Sequence, residues 1–175
     1  ILKISDILES YDMYNIIKKV QNIGLSYKTT EPTPTINKTQ IQKDKFILID
    51  NDNDLKNLKN ELNSEIFSFD TETNSLDSKS AKIIGFSFCY NEEFAYYVPL
   101  NHNYLGVGSQ VSSDCAKDFL NYLNTKKLIF QNYKFDFEVI KNNFSIELNL
   151  FSDTMILAWL NDSNSNVGLD SLSER

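Results

Sequence analysis

The chain of 175 residues is 41% hydrophobic and 13% aromatic, enough to bury a real core and to form one domain with an appendage. Its formal charge of −7 excludes a protein that grips nucleic acid through its overall field, because phosphate binding is ordinarily driven by Lys and Arg. No apolar run approaches bilayer length and no basic-then-apolar leader opens the chain, so the expectation is a soluble protein without a membrane partner.

From residue 1 to 25, the apolar positions Ile4, Leu8, Tyr11, Ile16, Ile17 and Val20 follow helical spacing, and Gly24 suits a helix end. Residues 26–45 carry two of the three prolines and almost no apolar side chains, which reads as a linker. From Phe46 the pattern becomes globular. FILID reads as a strand, DLKNLKNELN as a helix, EIFSFD as a buried strand, and KIIGFSFCY and EFAYYVPL as two more strands. SSDCAKDFLNYLN opens on serine caps and continues with helical spacing, KLIF is a short strand, and NYKFDFEVIKNN is a further helix. DTMILAWLN and LDSLSER each read as a helix with an aspartate in capping position. Strands that cluster early and then alternate with helices predict the α/β class: a mixed sheet, an antiparallel meander followed by parallel crossovers, with helices on both faces. Cys89 and Cys115 lie far apart without metal-type spacing and are expected as reduced packing residues of a cytoplasmic protein. The chain opens on Ile1 and closes on SLSER, an unfinished helix by its pattern, so a piece of a larger polypeptide is expected.

FSFDTETNSL places Asp70 and Glu72 at the end of an apolar run. Residues two apart on a strand point to the same face, so both carboxylates aim at one region if the extended geometry continues through Thr71. Like charges that close repel, and a hard divalent cation is the natural compensation, since Mg²⁺ takes oxygen ligands from one or two carboxylates and keeps waters and substrate phosphates. The plainer alternative is a strand terminator at Asp70 and a solvated Glu72. In QNYKFDFEVI, Asn132 and Asp136 share a helix face, while Phe135 and Val139 pack inward on another. Asn132 is either an N-cap or a site residue, and Asp136 either a solvated helix position or a third carboxylate for the same site.

FSFDTETNSLDSKSAKIIGFSFCY, AYYVPLNHNYL, QNYKFD, FSDTMILAWL and GLDSLSER, in that order, resemble the proofreading 3′–5′ exonuclease domain of bacterial DNA polymerase I, a family A polymerase. The resemblance spans residues 46–175, and residues 1–25 resemble the helical C-terminal end of the 5′ nuclease domain that precedes it, joined by the linker 26–45. It implies a ribonuclease H-like fold and a monomer acting on single-stranded or frayed 3′ ends of DNA, with polymerase and 5′ nuclease domains on the same polypeptide. It also implies two divalent ions, Mg²⁺ or in its place Mn²⁺ or Zn²⁺. On the family's motifs, Asp70 bridges both ions, Glu72 binds one and helps orient the attacking water, and Asp136 holds the other. Leu76 matches an apolar wedge against the terminal bases, with a core position as its alternative, and Thr73, Gln131 and Asn132 are further candidates for strand contact.

The family's third motif, a tyrosine four residues before a final aspartate, falls beyond Arg175, so this chain by itself is expected to hydrolyse weakly or not at all. His102 is read as a surface loop residue that does not replace that tyrosine. Two other readings stand beside proofreading: a vestigial domain kept as a structural platform, against which Asp70, Glu72 and Asp136 speak, and an exoribonuclease resembling ribonuclease D.

Overall fold

Along β2 (Ile66–Thr73), Phe67, Phe69 and Thr71 are buried while Ile66, Asp70 and Glu72 are exposed, the period-2 pattern of a strand with one packed face. The computed structural model describes residues 45–174. The helix expected over 1–25 and the linker over 26–45, Lys45 aside, lie outside the described residues.

With β1 (Phe46–Leu48), β3 (Ile83–Cys89), β4 (Ala95–Pro99), β5 (Lys127–Phe130) and β6 (Ser152–Asp153), β2 forms a six-stranded sheet in the order β1-β4-β3-β2-β5-β6. The strands β2, β3 and β4 make the expected antiparallel meander, and β5 and β6 add to β2 in parallel. β1 stands outside the meander, at the edge and parallel to β4, because α1 (Asp52–Glu61) carries the chain across before β2 begins. β6, with two residues, is too short for an alternating pattern to announce it.

Register puts Phe69 beside Phe88, Thr71 beside Phe86, and Phe86 and Phe88 beside Val98 and Tyr96, all on one face. α2 (Ser113–Leu123) lays Phe119 on that face, its ring 5.1 Å from Phe88 and 6.1 Å from Phe86. α1 packs on α2 and buries Leu55, and α3 (Tyr133–Phe144) buries Val139, Ile140 and Phe144. The opposite face is less covered than expected. It carries a cavity of about 370 Å³ lined by Ser68, Asp70, Ser87, Cys89 and Ile129, which α4 (Thr154–Asn161) and α5 (Leu169–Ser173) only border, through Thr154 and Leu169. α4 buries none of its residues and leaves Ile156, Leu157, Trp159 and Leu160 exposed. Neither cysteine is in a disulfide, and no described helix is long and apolar enough to cross a membrane.

Asp153 holds the α3 and α4 ends together. Its carboxylate accepts from Met155 N at 2.9 Å and Ile156 N at 3.4 Å, the expected cap of α4. The same buried group accepts from Asn132 N at 3.2 Å and Tyr133 N at 2.8 Å, so it caps α3 as well. At α5 the expectation is corrected: Gly168 occupies the cap without a side-chain bond, and Asp170 lies in the first turn, where a negative charge still complements the helix dipole.

Removing a capping oxygen costs about 1 kcal/mol per helix, so Asp153→Ala should lower stability by about 2–3 kcal/mol in urea unfolding, and Asp153→Asn by clearly less. A loss below about 0.5 kcal/mol for the alanine variant, the level of an ordinary surface change, would contradict the double cap.

Candidate active site

β2 pairs with β5 only as far as Ser68, opposite Ile129, but with β3 through Thr73. Beyond Ser68 one edge of β2 is therefore open, and a backbone N–H pointing there needs another acceptor. Asp136, in the first turn of α3, supplies it: Oδ1 accepts from Thr71 N at 3.0 Å and from Thr71 Oγ1 at 2.6 Å. Asp136 is only 2% exposed, which rules out the solvated-helix alternative.

The chain reaches that position through Asn132. This residue stands at the N-cap of α3 with φ 71° and ψ 52°, a left-handed conformation that asparagine tolerates, and its side chain makes no capping bond. Asp153 caps in its place, and Asn132 is exposed.

Asp70 and Glu72 project from the other face of β2 and reach solvent. Partial desolvation raises the Asp70 carboxyl above the ordinary carboxylate range, the charge of Glu72 raises it further, and a hydrogen bond from Thr71 N–H opposes both. Burial drives Asp136 up to about 7, against the lowering effect of the Thr71 hydroxyl and with a further rise from the Asp70 charge. The Asp70 carboxyl thus feels the charge of Glu72, and the Asp136 carboxyl that of Asp70. The ion pairs among the described residues, Lys59–Asp118, Lys126–Glu65 and Lys141–Glu147, involve none of the three.

Among the described residues no three acidic, His or Cys side chains gather tightly enough to hold one ion between them. Asp136 approaches the edge of β2 at Thr71, between Asp70 and Glu72 in the strand, while Glu72 stands one alternation beyond Asp70. By chemistry the donors suit a hard cation: they are carboxylate oxygens, and none of them is in an ion pair with a described residue. Both Thr71 bonds fall on Oδ1 of Asp136, so Thr71 leaves Oδ2 uncommitted.

Leu76 is 95% exposed in the loop after β2, which excludes the core alternative. Gln131 lines the cavity, but its amide already donates to Val167 O at 2.9 Å and accepts from Thr154 Oγ1. Thr73 Oγ1 donates to Ser75 O at 2.8 Å. His102 is half-buried and bonds Tyr97, a correction to the surface-loop reading. The sequence reading missed Thr71 as the anchor of Asp136, although alternation already turned Thr71 away from Asp70 and Glu72. It also missed the second cap made by Asp153, for which no local signal exists across 20 residues.

Residues 46–175 match the family model described as 3′–5′ exonuclease, of the DNA polymerase A type. DNA polymerase I of Borreliella burgdorferi is 36% identical over 149 residues, which are 84% of this chain and 16% of that protein. DNA polymerase I of Pseudomonas aeruginosa is 38% identical over 107 residues, 58% of this chain and 12% of that protein. RNase D of Escherichia coli, described as an exoribonuclease involved in structured RNA processing, superposes with a TM-score of 0.54 at 19% identity, covering 74% of this chain and 32% of that one. That likeness shows the fold, and the fold is the ribonuclease H-like one that the sequence implied.

Asp136 also makes stability depend on pH. Its native pKa of about 7 lies above the ordinary 3.8, so between those values the folded chain keeps a proton that the unfolded chain has lost. Stability must then fall as pH rises through that window, by an amount on the order of 4 kcal/mol at about 1.4 kcal/mol per pH unit. Asp136→Asn should remove this slope: in urea unfolding with chelator present, its stability relative to wild type should rise by at least about 2 kcal/mol between pH 4 and pH 8. A constant difference across the range would contradict the buried, proton-holding carboxyl.

Proposed function

The chain belongs to the 3′–5′ exonuclease domain family of DNA polymerase I, and from that premise we propose that Asp70, Glu72 and Asp136 hydrolyse the terminal phosphodiester at the 3′ end of DNA, as in proofreading. The observation that supports the proposal is that Thr71, the residue between Asp70 and Glu72 on β2, holds the buried Asp136 by two hydrogen bonds, with no ion pair of the described residues reaching the three acids. Asp70, Glu72 and Asp136 would hold two divalent ions, Mg²⁺ or in its place Mn²⁺ or Zn²⁺, with Asp70 a ligand of both, Glu72 of one and Asp136 of the other. When bound, they supply a lowered pKa for the attacking water and charge stabilisation for the leaving 3′ oxygen. The chain's own residues do the positioning. Thr71 fixes Asp136 through two hydrogen bonds, and β2 fixes the spacing of Asp70 and Glu72.

The chain spans 16% of the length of the Borreliella burgdorferi relative, so polymerase and 5′ nuclease activities belong to the proposal for a polypeptide of that length. In that reading residues 46–175 are the exonuclease domain, 26–45 the linker and 1–25 the end of a 5′ nuclease domain, in a cytoplasmic monomer. The exposed apolar side chains of α4 and Leu169 suit a domain on which further polypeptide packs. The strand end is held by Leu76, exposed and apolar, and by the Asn132 amide, with Thr73 and Gln131 lending their free lone pairs. The likeness to RNase D favours an exoribonuclease as the second reading, but no residue here visibly reads a 2′-hydroxyl. The retained carboxylates speak against a vestigial platform.

Removing one group that stabilises transition-state charge costs about 10²–10³ in rate, so Asp70→Ala in the complete gene product should cut Mg²⁺-dependent degradation of single-stranded DNA by at least 100-fold. The metal-free melting temperature should hold or rise, because a like charge has left a repelling cluster. Wild-type rates in this variant would mean that the site is misassigned.

Leu76 offers contact without reading base edges, so cleavage should be nearly indifferent to sequence and fastest on frayed or single-stranded 3′ ends. Leu76→Ala should raise KM for the strand while leaving the metal requirement unchanged. A strong base preference on matched substrates would count against this mode of binding.

A further inference from the structure

Glu72 faces Gly85 across the β2–β3 pair, and Gly85 in turn pairs with Pro99 on β4. Tyr97, two residues before Pro99 on the same face, leans over Gly85. A Cβ on Gly85 would stand 2.2 Å from Tyr97 Oη and 2.6 Å from Cζ, so only glycine leaves room for the phenol there. The hydroxyl therefore lies over the strand position directly across from Glu72, and opposed residues of an antiparallel pair have Cβ atoms about 4.5–5.5 Å apart.

His102 holds the phenol in that place. Tyr97 Oη and His102 Nε2 are 2.6 Å apart. The backbone of His102 is clamped on both sides by one side chain: His102 N donates to Gln110 Oε1 at 2.7 Å, and Gln110 Nε2 donates to His102 O at 3.0 Å. The ring of Tyr104 meets that of His102 edge-on at 5.9 Å. Of the two imidazole tautomers, the one with Nε2–H donating to Oη leaves the hydroxyl proton of Tyr97 for another acceptor. Desolvation first, and then the charge of Glu72, raise the phenol above its ordinary pKa, so it remains a neutral donor at physiological pH.

We infer that Tyr97 is a positioning residue for Glu72: its hydroxyl, which bonds His102 alone among the described residues, is admitted by Gly85 beside the Glu72 position, and donates to that carboxylate when it turns to meet a divalent cation. The inference rests on the metal-dependent reading proposed above. Carboxylates that hold cations are themselves hydrogen-bonded, and loss of such a partner costs about 10–100-fold in metal affinity.

Mn²⁺ binding to this chain, followed by the loss of the free-ion electron paramagnetic resonance signal, tests it without reference to activity. Tyr97→Phe should bind Mn²⁺ about tenfold more weakly at an unchanged melting temperature. Gly85→Ala, which displaces the phenol, should give the same loss, and the double variant no more than either alone. Tyr97→Phe decides by itself if Gly85→Ala does not fold. Mn²⁺ affinity at the wild-type level in Tyr97→Phe, with or without a fall in melting temperature, would overturn the inference. Asp70→Ala separates the two levels. If it abolishes Mn²⁺ binding while Tyr97→Phe leaves it intact, only the role of Tyr97 falls; if it binds as wild type does, the metal reading falls and the inference with it.

Discussion

An amide left without a strand partner inside a protein must find an acceptor, and where β5 stops accompanying β2 the amide of Thr71 finds Asp136. That bond, doubled by the Thr71 hydroxyl, fastens the first turn of α3 to the edge of the sheet. It requires the chain to leave β5 sharply, which the left-handed Asn132 achieves, and it requires a cap from elsewhere, which Asp153 provides. It also brings a third carboxylate beside a strand that already carries two. The packing of the sheet and the placement of the acids are therefore one arrangement.

Its electrostatic consequence is a contest between hydrogen bonds that favour the ionised Asp136 and a desolvation that disfavours it, and desolvation wins. Asp70 is raised in the same sense, by its surroundings and by Glu72. A carboxyl whose pKa is driven up near others marks a place where charge has been gathered against stability, which is characteristic of functional sites. Among the described residues the salt bridges lie elsewhere and leave the three acids without a cationic partner, the role that the proposed divalent ions would fill. On the proposed function, a bound cation would also let a chain with a formal charge of −7 meet a polyanion, by reversing the local field that the whole protein presents.

The strand with its two acids was legible because alternation is a local property. Phe67, Phe69 and Thr71 on one side leave Asp70 and Glu72 together on the other whatever the rest of the chain does. The capping role of Asp153 toward α4 was legible for the same reason, since its acceptors lie two and three residues away. What escaped depends on partners far along the chain. Nothing in the helical pattern of NYKFDFEVIKNN shows that Asp136 is buried, because its donor is 65 residues upstream. Gly85 inside a strand signals a close approach, but only the β3–β4 register says that Tyr97 is what approaches. His102 does lie in the polar loop that composition indicates, but its partial burial against Tyr97 and its clamp by Gln110 are loop contacts with no periodic signature. The helix at LDSLSER was legible, while its cap was not, since an aspartate two residues inside the helix start and one at the cap look alike in sequence.

On the proposed function, Asp70 would be shared between two cations that Glu72 and Asp136 help to hold. Anomalous diffraction from crystals grown with Mn²⁺ addresses it directly. The account predicts two anomalous peaks flanking Asp70, roughly 3.5–4 Å apart, one also contacted by Glu72 and the other on the Asp136 side. Mn²⁺ density away from Asp70, with its carboxylate bound only to water, would contradict it.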